Sequence, residues 1–188
     1  MVPARLDILV HGLLRCAGRG AEQSALDAAF SAATGTACPG KVGQLVELLD
    51  ERRDARGARA LAIRTRPSEL VLMVLAAPDG RASSTDTAAS WIGALAAAAA
   101  QDPLLALLDT SHGVAAFGLR GPRTAPLLAR LAVPSSLPAT DAAASRLRLA
   151  DCAVMLVRDA VDDYVLVADA DSADFLLDRI AFAESGFE

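Results

Sequence analysis

A strand that runs straight into a glycine–proline pair and then into an amphipathic helix is the segment that most constrains this fold. Over residues 114–119 the side chains alternate, with Val114, Ala116 and Gly118 on one face and Ala115, Phe117 and Leu119 on the other. That is the period of a strand. Gly121 can take a backbone conformation that ends a strand sharply, and Pro122 is preset for a first helical turn, where its missing N–H costs nothing. Thr124 is a second possible cap, Pro126 is still close to the helix start, and Leu127, Leu128 and Leu131 supply an apolar stripe. The segment carries no catalytic group.

The same order of elements can be read twice along the chain. In the first half a strand at 12–17 meets the glycine-flanked turn 18–20 and leads to a helix over 21–34. Leu26 and Phe30 stand there at i, i+4 spacing, and Gly35 occupies the C-cap position. Strands at 59–64 and 70–76, joined by a turn at 66–68, and a helix over 87–100 follow. The second half repeats the pattern with the strand at 114–119, a helix to Leu131, strands at 145–149, 154–158 and 164–168, a turn at Asp162 and Asp163, and a helix over 172–183. Locally, Cys16-Ala17-Gly18 matches Leu119-Arg120-Gly121, and residues 70–74 match 164–168. The offset drifts from 103 to 94 residues, so the halves differ by insertions or deletions in loops. Segments 50–58, 79–87 and 133–145 read as loops. The expected architecture is α+β, one compact domain over 1–188 made of two pseudo-repeated halves, about 1–103 and 104–188. It is a duplication, not a solenoid, because the unit occurs only twice.

With 188 residues, 53% of them hydrophobic, the chain can bury a real core. Only 4% are aromatic, and much of the apolar count is alanine, so the core is thin in large side chains. A net charge of −5, with Lys41 the only lysine, argues against a nucleic-acid or anionic-membrane surface. The cysteines Cys16, Cys38 and Cys152 are odd in number and lack C-x-x-C spacing, which reads as buried or half-buried thiols in a reducing cytosol. No secretory leader is legible, because His11 interrupts the mildly apolar 8–14 segment and no small-residue cleavage site follows. The longest uncharged run, 87–101, is too short to span a bilayer. The expected location is cytoplasmic.

Four constellations look chemical and each falls short. Residues 35–42 approach a phosphate-binding loop, but Val42 stands where Ser or Thr must hold magnesium, and Pro39 removes an amide donor. A turn after a helix cap accounts for the segment better. Asp169, Asp171 and Asp174 resemble the start of a calcium loop, yet Asp174 occupies the required glycine position and Ile180 the required glutamate position. Carboxylates gathered at a helix start explain all three. Ser111 and His112 invite a nucleophile–base reading, but neighbours in an extended segment point to opposite faces. Asp109 with Ser111 is instead expected to make a side-chain-capped turn. Two histidines and no cysteine pair give too few of zinc's usual ligands. Trp91 and Tyr164 are expected in the core. No catalytic, cofactor-binding or metal-binding residue is assigned.

Asp109-Thr110-Ser111, the strand into Gly121-Pro122 with Leu127 and Leu131, Arg146-Leu147, and Asp162-Asp163-Tyr164-Val165-Leu166-Val167 followed by a helix together carry a resemblance. The chain resembles the gamma subunits of heterotetrameric sarcosine oxidases, part of the wider superfamily of aminomethyltransferases and tetrahydrofolate-binding proteins. The match is best over 109–183, with Pro67-Ser68-Glu69-Leu70 resembling a turn and strand in the first half. The resemblance implies a folate-binding aminomethyltransferase-like fold of duplicated mixed-sheet halves with flanking helices and exchanged strands. It also implies a non-catalytic subunit of a sarcosine oxidase or dehydrogenase, partnered by large alpha- and beta-type subunits. FAD, FMN, NAD, zinc and tetrahydrofolate are then expected on those partners and none on this chain. Folate-using relatives continue into further domains that wall the folate pocket. The Lys-Gly-Cys motif of the relatives linked to iron–sulfur assembly is echoed only by Gly40-Lys41-Val42-Gly43-Gln44. A stand-alone tetrahydrofolate-binding protein is the alternative. Arg120, Arg123 and Arg130, around the strand-to-helix junction, are candidate docking contacts.

Overall fold

The computed structural model describes residues 4–6, 8–16, 22–48, 59–75 and 84–186, and side chains within 23–48, 60–74 and 92–186. In chain order the elements are β1 (Ala4–Leu6), β2 (Ile8–Cys16), α1 (Glu22–Thr34), β3 (Leu45–Leu48), β4 (Arg59–Arg66), β5 (Glu69–Leu75) and α2 (Ser84–Gln101). They continue with β6 (Leu105–Asp109), β7 (Val114–Arg120), α3 (Thr124–Leu131), β8 (Ala143–Leu149), β9 (Cys152–Ala160), β10 (Asp163–Asp169) and α4 (Ala173–Ser185). The chain divides into two compact units, one of residues 7–111 and one of residues 1–6 with 112–188.

The unit of residues 7–111 holds a five-stranded sheet in the order β3-β4-β5-β2-β6, and the other holds one in the order β1-β7-β10-β9-β8. Every registered pair in both is antiparallel, which corrects the expected mixed sheets. The physical reason is that two-residue turns join β4 to β5, β8 to β9 and β9 to β10 as hairpins, and a tight turn can only reverse the chain. At the β8–β9 turn Ala150 (φ 48°) and Asp151 (φ 69°) both lie in the left-handed region, the type I′ pattern that matches strand twist. β1, from the start of the chain, pairs with β7, whereas β6 pairs with β2.

Helices cover one face of each sheet. Leu26 and Phe30 of α1 and Leu95 of α2 pack on Ala62, Leu70, Leu72 and Val74, so the i, i+4 pair lies in the core as its spacing requires. In the other unit Leu127 and Leu128 of α3 and Leu176 and Ile180 of α4 pack on Phe117, Leu119, Leu156, Tyr164 and Leu166. Tyr164 is a core residue, as expected; the side chain of Trp91 lies outside the described residues. Both faces of the central strands are buried, since Ala116, Met155, Val157, Val165 and Val167 are buried as well.

Gly35 ends α1 at φ 67°, with its amide on the Ser31 carbonyl at 2.9 Å. Gly121, at φ 114°, breaks β7 and donates to the Asp162 carbonyl at 3.0 Å. Helix α3 begins at Thr124, so Pro122 lies in the preceding turn and Pro126 occupies the first helical turn instead. Helix α2 already begins at Ser84, which overturns the loop expected over 84–87; residues 79–83 and the expected loop at 50–58 lie outside the described residues. Segment 133–145 contains a 3₁₀ turn at Pro134–Ser136 and the first residues of β8. Among the described residues no helix is long and apolar enough to cross a membrane.

Candidate functional site

A concavity with polar groups lies where β7 begins, beside the start of α4. Asp109 accepts the Ser111 amide at 2.9 Å and the Ser111 hydroxyl at 2.6 Å, the side-chain-capped turn expected from sequence. The chain then forms a 3₁₀ turn over Ser111–Gly113, not the extended segment expected there. It presents His112 to a groove of about 330 Å³. Val114, Ala115 and Phe117 of β7 form one wall, and Ala170, Ala173, Asp174 and Leu177 the other. One imidazole and one carboxylate over small apolar walls can orient a polar group by hydrogen bonds. The Ser111 hydroxyl is directed at the Asp109 carboxylate within this turn.

The other motifs resolve into local structure. The amides of Gly40 and Lys41 both donate to the Gln44 Oε1, at 2.9 and 3.2 Å. Backbone donors that would cradle a phosphate are therefore satisfied within the loop. Asp169, Asp171 and Asp174 are exposed around the start of α4. Among the described residues no three His, Cys, Asp or Glu side chains are grouped to hold a metal ion. Arg120 pairs with Asp163 at 3.2 Å, Arg130 donates to the Ala183 carbonyl at 3.2 Å, and Arg123 is exposed.

A buried arginine is the constellation that sequence reasoning missed. Arg64, on β4, is only 1% exposed. Its guanidinium donates to the carbonyls of Pro39 and Pro67, pairs with Asp27 of α1, and reaches the Cys38 sulfur at 3.0 Å. One side chain thus ties a helix, the loop after it and a hairpin turn together. Arg158, on β9, has a parallel placement. It donates to the carbonyls of Pro138 and Ala139 at 3.5 and 3.1 Å and pairs with Asp141 at 2.9 Å. Arg64 lies across from Leu70 and Arg158 across from Tyr164, the first positions of the segments 70–74 and 164–168 that align in the sequence reading.

Cys38 takes its chemistry from this cluster. Burial first, and then the hydrogen bond and charge of Asp27, push its thiol up to about 12, against the opposing pull of Arg64. At pH 8 this puts the thiolate fraction roughly 1,000-fold below that of an ordinary thiol, so Cys38 should react slowly as a nucleophile. Iodoacetamide labelling resolved peptide by peptide should leave Cys38 unmodified in the native protein and convert it fully in urea. Equal rates in both states would show that the fold does not hold the thiol protonated. Since folding raises this pKa from 9.0, the associated stability is intact below pH 9 and is lost as pH rises toward 12.

No protein-family model matches the sequence, and no curated protein matches it. Solved structures do. A chain of the heterotetrameric sarcosine oxidase from Corynebacterium sp. U-96, in complex with pyrrole 2-carboxylate, superposes with a TM-score of 0.71 at 22% identity, over 97% of this chain and 83% of that one. The glycine cleavage system aminomethyltransferase T from Bartonella henselae superposes with a TM-score of 0.61 at 15% identity, over 94% of this chain and 45% of that one. The fold is therefore the one shared by these two proteins, and the chain spans less than half the length of the aminomethyltransferase.

Proposed function

We propose that this chain is a non-catalytic, gamma-type subunit of a flavin-dependent oxidase or dehydrogenase acting on sarcosine or a similar secondary or N-methyl amino acid. Its role is to support assembly of the large alpha- and beta-type subunits. The supporting observation is the breadth of the likeness to a chain of a heterotetrameric sarcosine oxidase, 97% of this chain on 83% of that one. On this reading FAD, FMN, NAD, zinc and tetrahydrofolate are held by the partner subunits and the complex is cytoplasmic. The same reading takes the halves, about 1–103 and 104–188, as copies of one unit with exchanged strands. The order β-β-α-β-β-β-α occurs twice, and Arg64 and Arg158 make like contacts to loops that contain Pro39 and Pro138.

A stand-alone tetrahydrofolate-binding protein is the second reading. The likeness to an aminomethyltransferase favours it, as does a groove whose 330 Å³ lies at the lower end of ligand-pocket sizes. Co-expression of the tagged chain with large flavin-bearing subunits of a sarcosine oxidase, taken from any that adjoin its gene, separates the two. The subunit reading expects co-elution at a fixed stoichiometry and sarcosine-dependent turnover of the assembled complex. A monodisperse chain that ignores those subunits and binds tetrahydrofolate in calorimetry would replace it with the second reading.

A further inference from the structure

Four phenylalanines fall among the described side chains, and two of them face water. Phe30 and Phe117 are in the cores, whereas Phe175 and Phe182 of α4 are 52% and 75% exposed. Helix α4 buries Ala173, Leu176 and Ile180. Phe175 and Phe182, seven residues apart, lie two turns and about 10 Å from each other on the opposite face. Asp178 is exposed between them, and the Arg179 guanidinium sits over the Phe175 ring at 5.7 Å. Folding does not need aromatic rings there; Ala or Glu would favour the helix more. Paired rings on a rigid helix are instead what protein interfaces use as anchors.

The charge around the rings selects the occupant. Asp169, Asp171, Asp174 and Asp178 are exposed along this end and flank of α4, against one exposed guanidinium, Arg179. Arg130, at the far end of the helix, is engaged with the Ala183 carbonyl. A second copy of this chain would bring the same excess of carboxylates against the first and be repelled. A different chain with an apolar groove rimmed by arginine or lysine is complemented on both counts. We propose that the outer face of α4, centred on Phe175 and Phe182, is the surface by which this chain docks into a basic-rimmed apolar groove of a larger partner protein. The proposal rests on the subunit reading and names the surface that reading requires.

The test uses the complex of the full chain with the co-expressed large subunits. The double variant Phe175→Ser, Phe182→Ser should weaken assembly by at least about 100-fold in a titration, since anchor residues dominate binding. A control that removes two other exposed apolar residues of the same unit, Val133→Ser with Val161→Ser, should stay within about 3-fold. Raising salt should weaken the wild-type complex more than one carrying Asp174→Asn and Asp178→Asn. If the double variant melts well below wild type, Phe182→Ser alone, at the more exposed ring, must still cost at least about 10-fold. A complex that forms normally with the variant would overturn the docking face and leave the subunit reading standing. Failure of the wild-type chain to assemble would remove the subunit reading and the docking face with it. A self-association of the isolated chain that the double variant abolishes would assign the face to a second copy and overturn the choice of partner.

Discussion

Replacing Arg64 with methionine should destabilise the unit of residues 7–111 by about 3–5 kcal/mol, the summed cost of the several acceptors that one buried guanidinium leaves behind, at about 1–3 kcal/mol each. Methionine fills most of the volume but donates nothing. The buried Pro39 carbonyl loses its donor, Asp27 loses its counter-charge, and the Cys38 sulfur loses the N–H that reaches it. A buried acceptor left without a donor carries the full cost of its lost hydration. The chain contains a single tryptophan, Trp91, which lies in α2 of this unit. Its fluorescence in a urea titration therefore reports the right unit, and the midpoint should fall by roughly 2 M. Asp27→Asn should do less, about 1–2 kcal/mol, because the Asn oxygen can still accept from the guanidinium, which keeps its two carbonyl acceptors, although the buried cation loses its counter-charge. An Arg64→Met midpoint indistinguishable from wild type would mean that the guanidinium network contributes no net stability.

That network also shows where sequence reading stops. Leu26 and Phe30 announced their burial because helical spacing is a local signal, and residues 114–119 announced a strand because alternation is. Arg64 offered nothing local: it is one of three arginines in β4, and its partners Asp27 and Cys38 stand 37 and 26 residues away. One signal was available in retrospect. Arg64 and Arg158 each precede the matched strand positions, Leu70 and Tyr164, by the same interval, and each bonds a proline carbonyl in an earlier loop. The unforeseen strands fail for a different reason. β1 has three residues, β3 has four, and β6 buries only Leu105, so none of them shows a period to detect. The groove at His112 was half legible. The histidine stood out by residue type, but Asp174, which lines the same groove, is 62 residues on, in a fold that brings the start of β7 beside the start of α4.

The second unit should be most sensitive at Leu166. This residue is fully buried on β10, the central strand of its sheet, with Phe117 opposite it on β7 and Leu156 opposite it on β9. All three side chains belong to the core under α3 and α4, with Leu128, Leu176 and Ile180 over them. Because both neighbours sit on paired strands, neither can move into the space that Leu166→Ala would open without breaking ladder hydrogen bonds. The cavity should therefore stay open, and the loss should fall in the upper part of the leucine-to-alanine range, about 3–5 kcal/mol. For a chain of this length that lowers the melting temperature by about 10 °C. Leu166→Ile, which keeps the volume, should cost less than about 1.5 kcal/mol. Thermal unfolding followed by far-ultraviolet circular dichroism checks both variants, with hydrogen exchange at β10 locating the loss. An alanine variant that melts within 2 or 3 °C of wild type would show that the helices collapse onto the sheet, and that this core is packed more loosely than its burial implies.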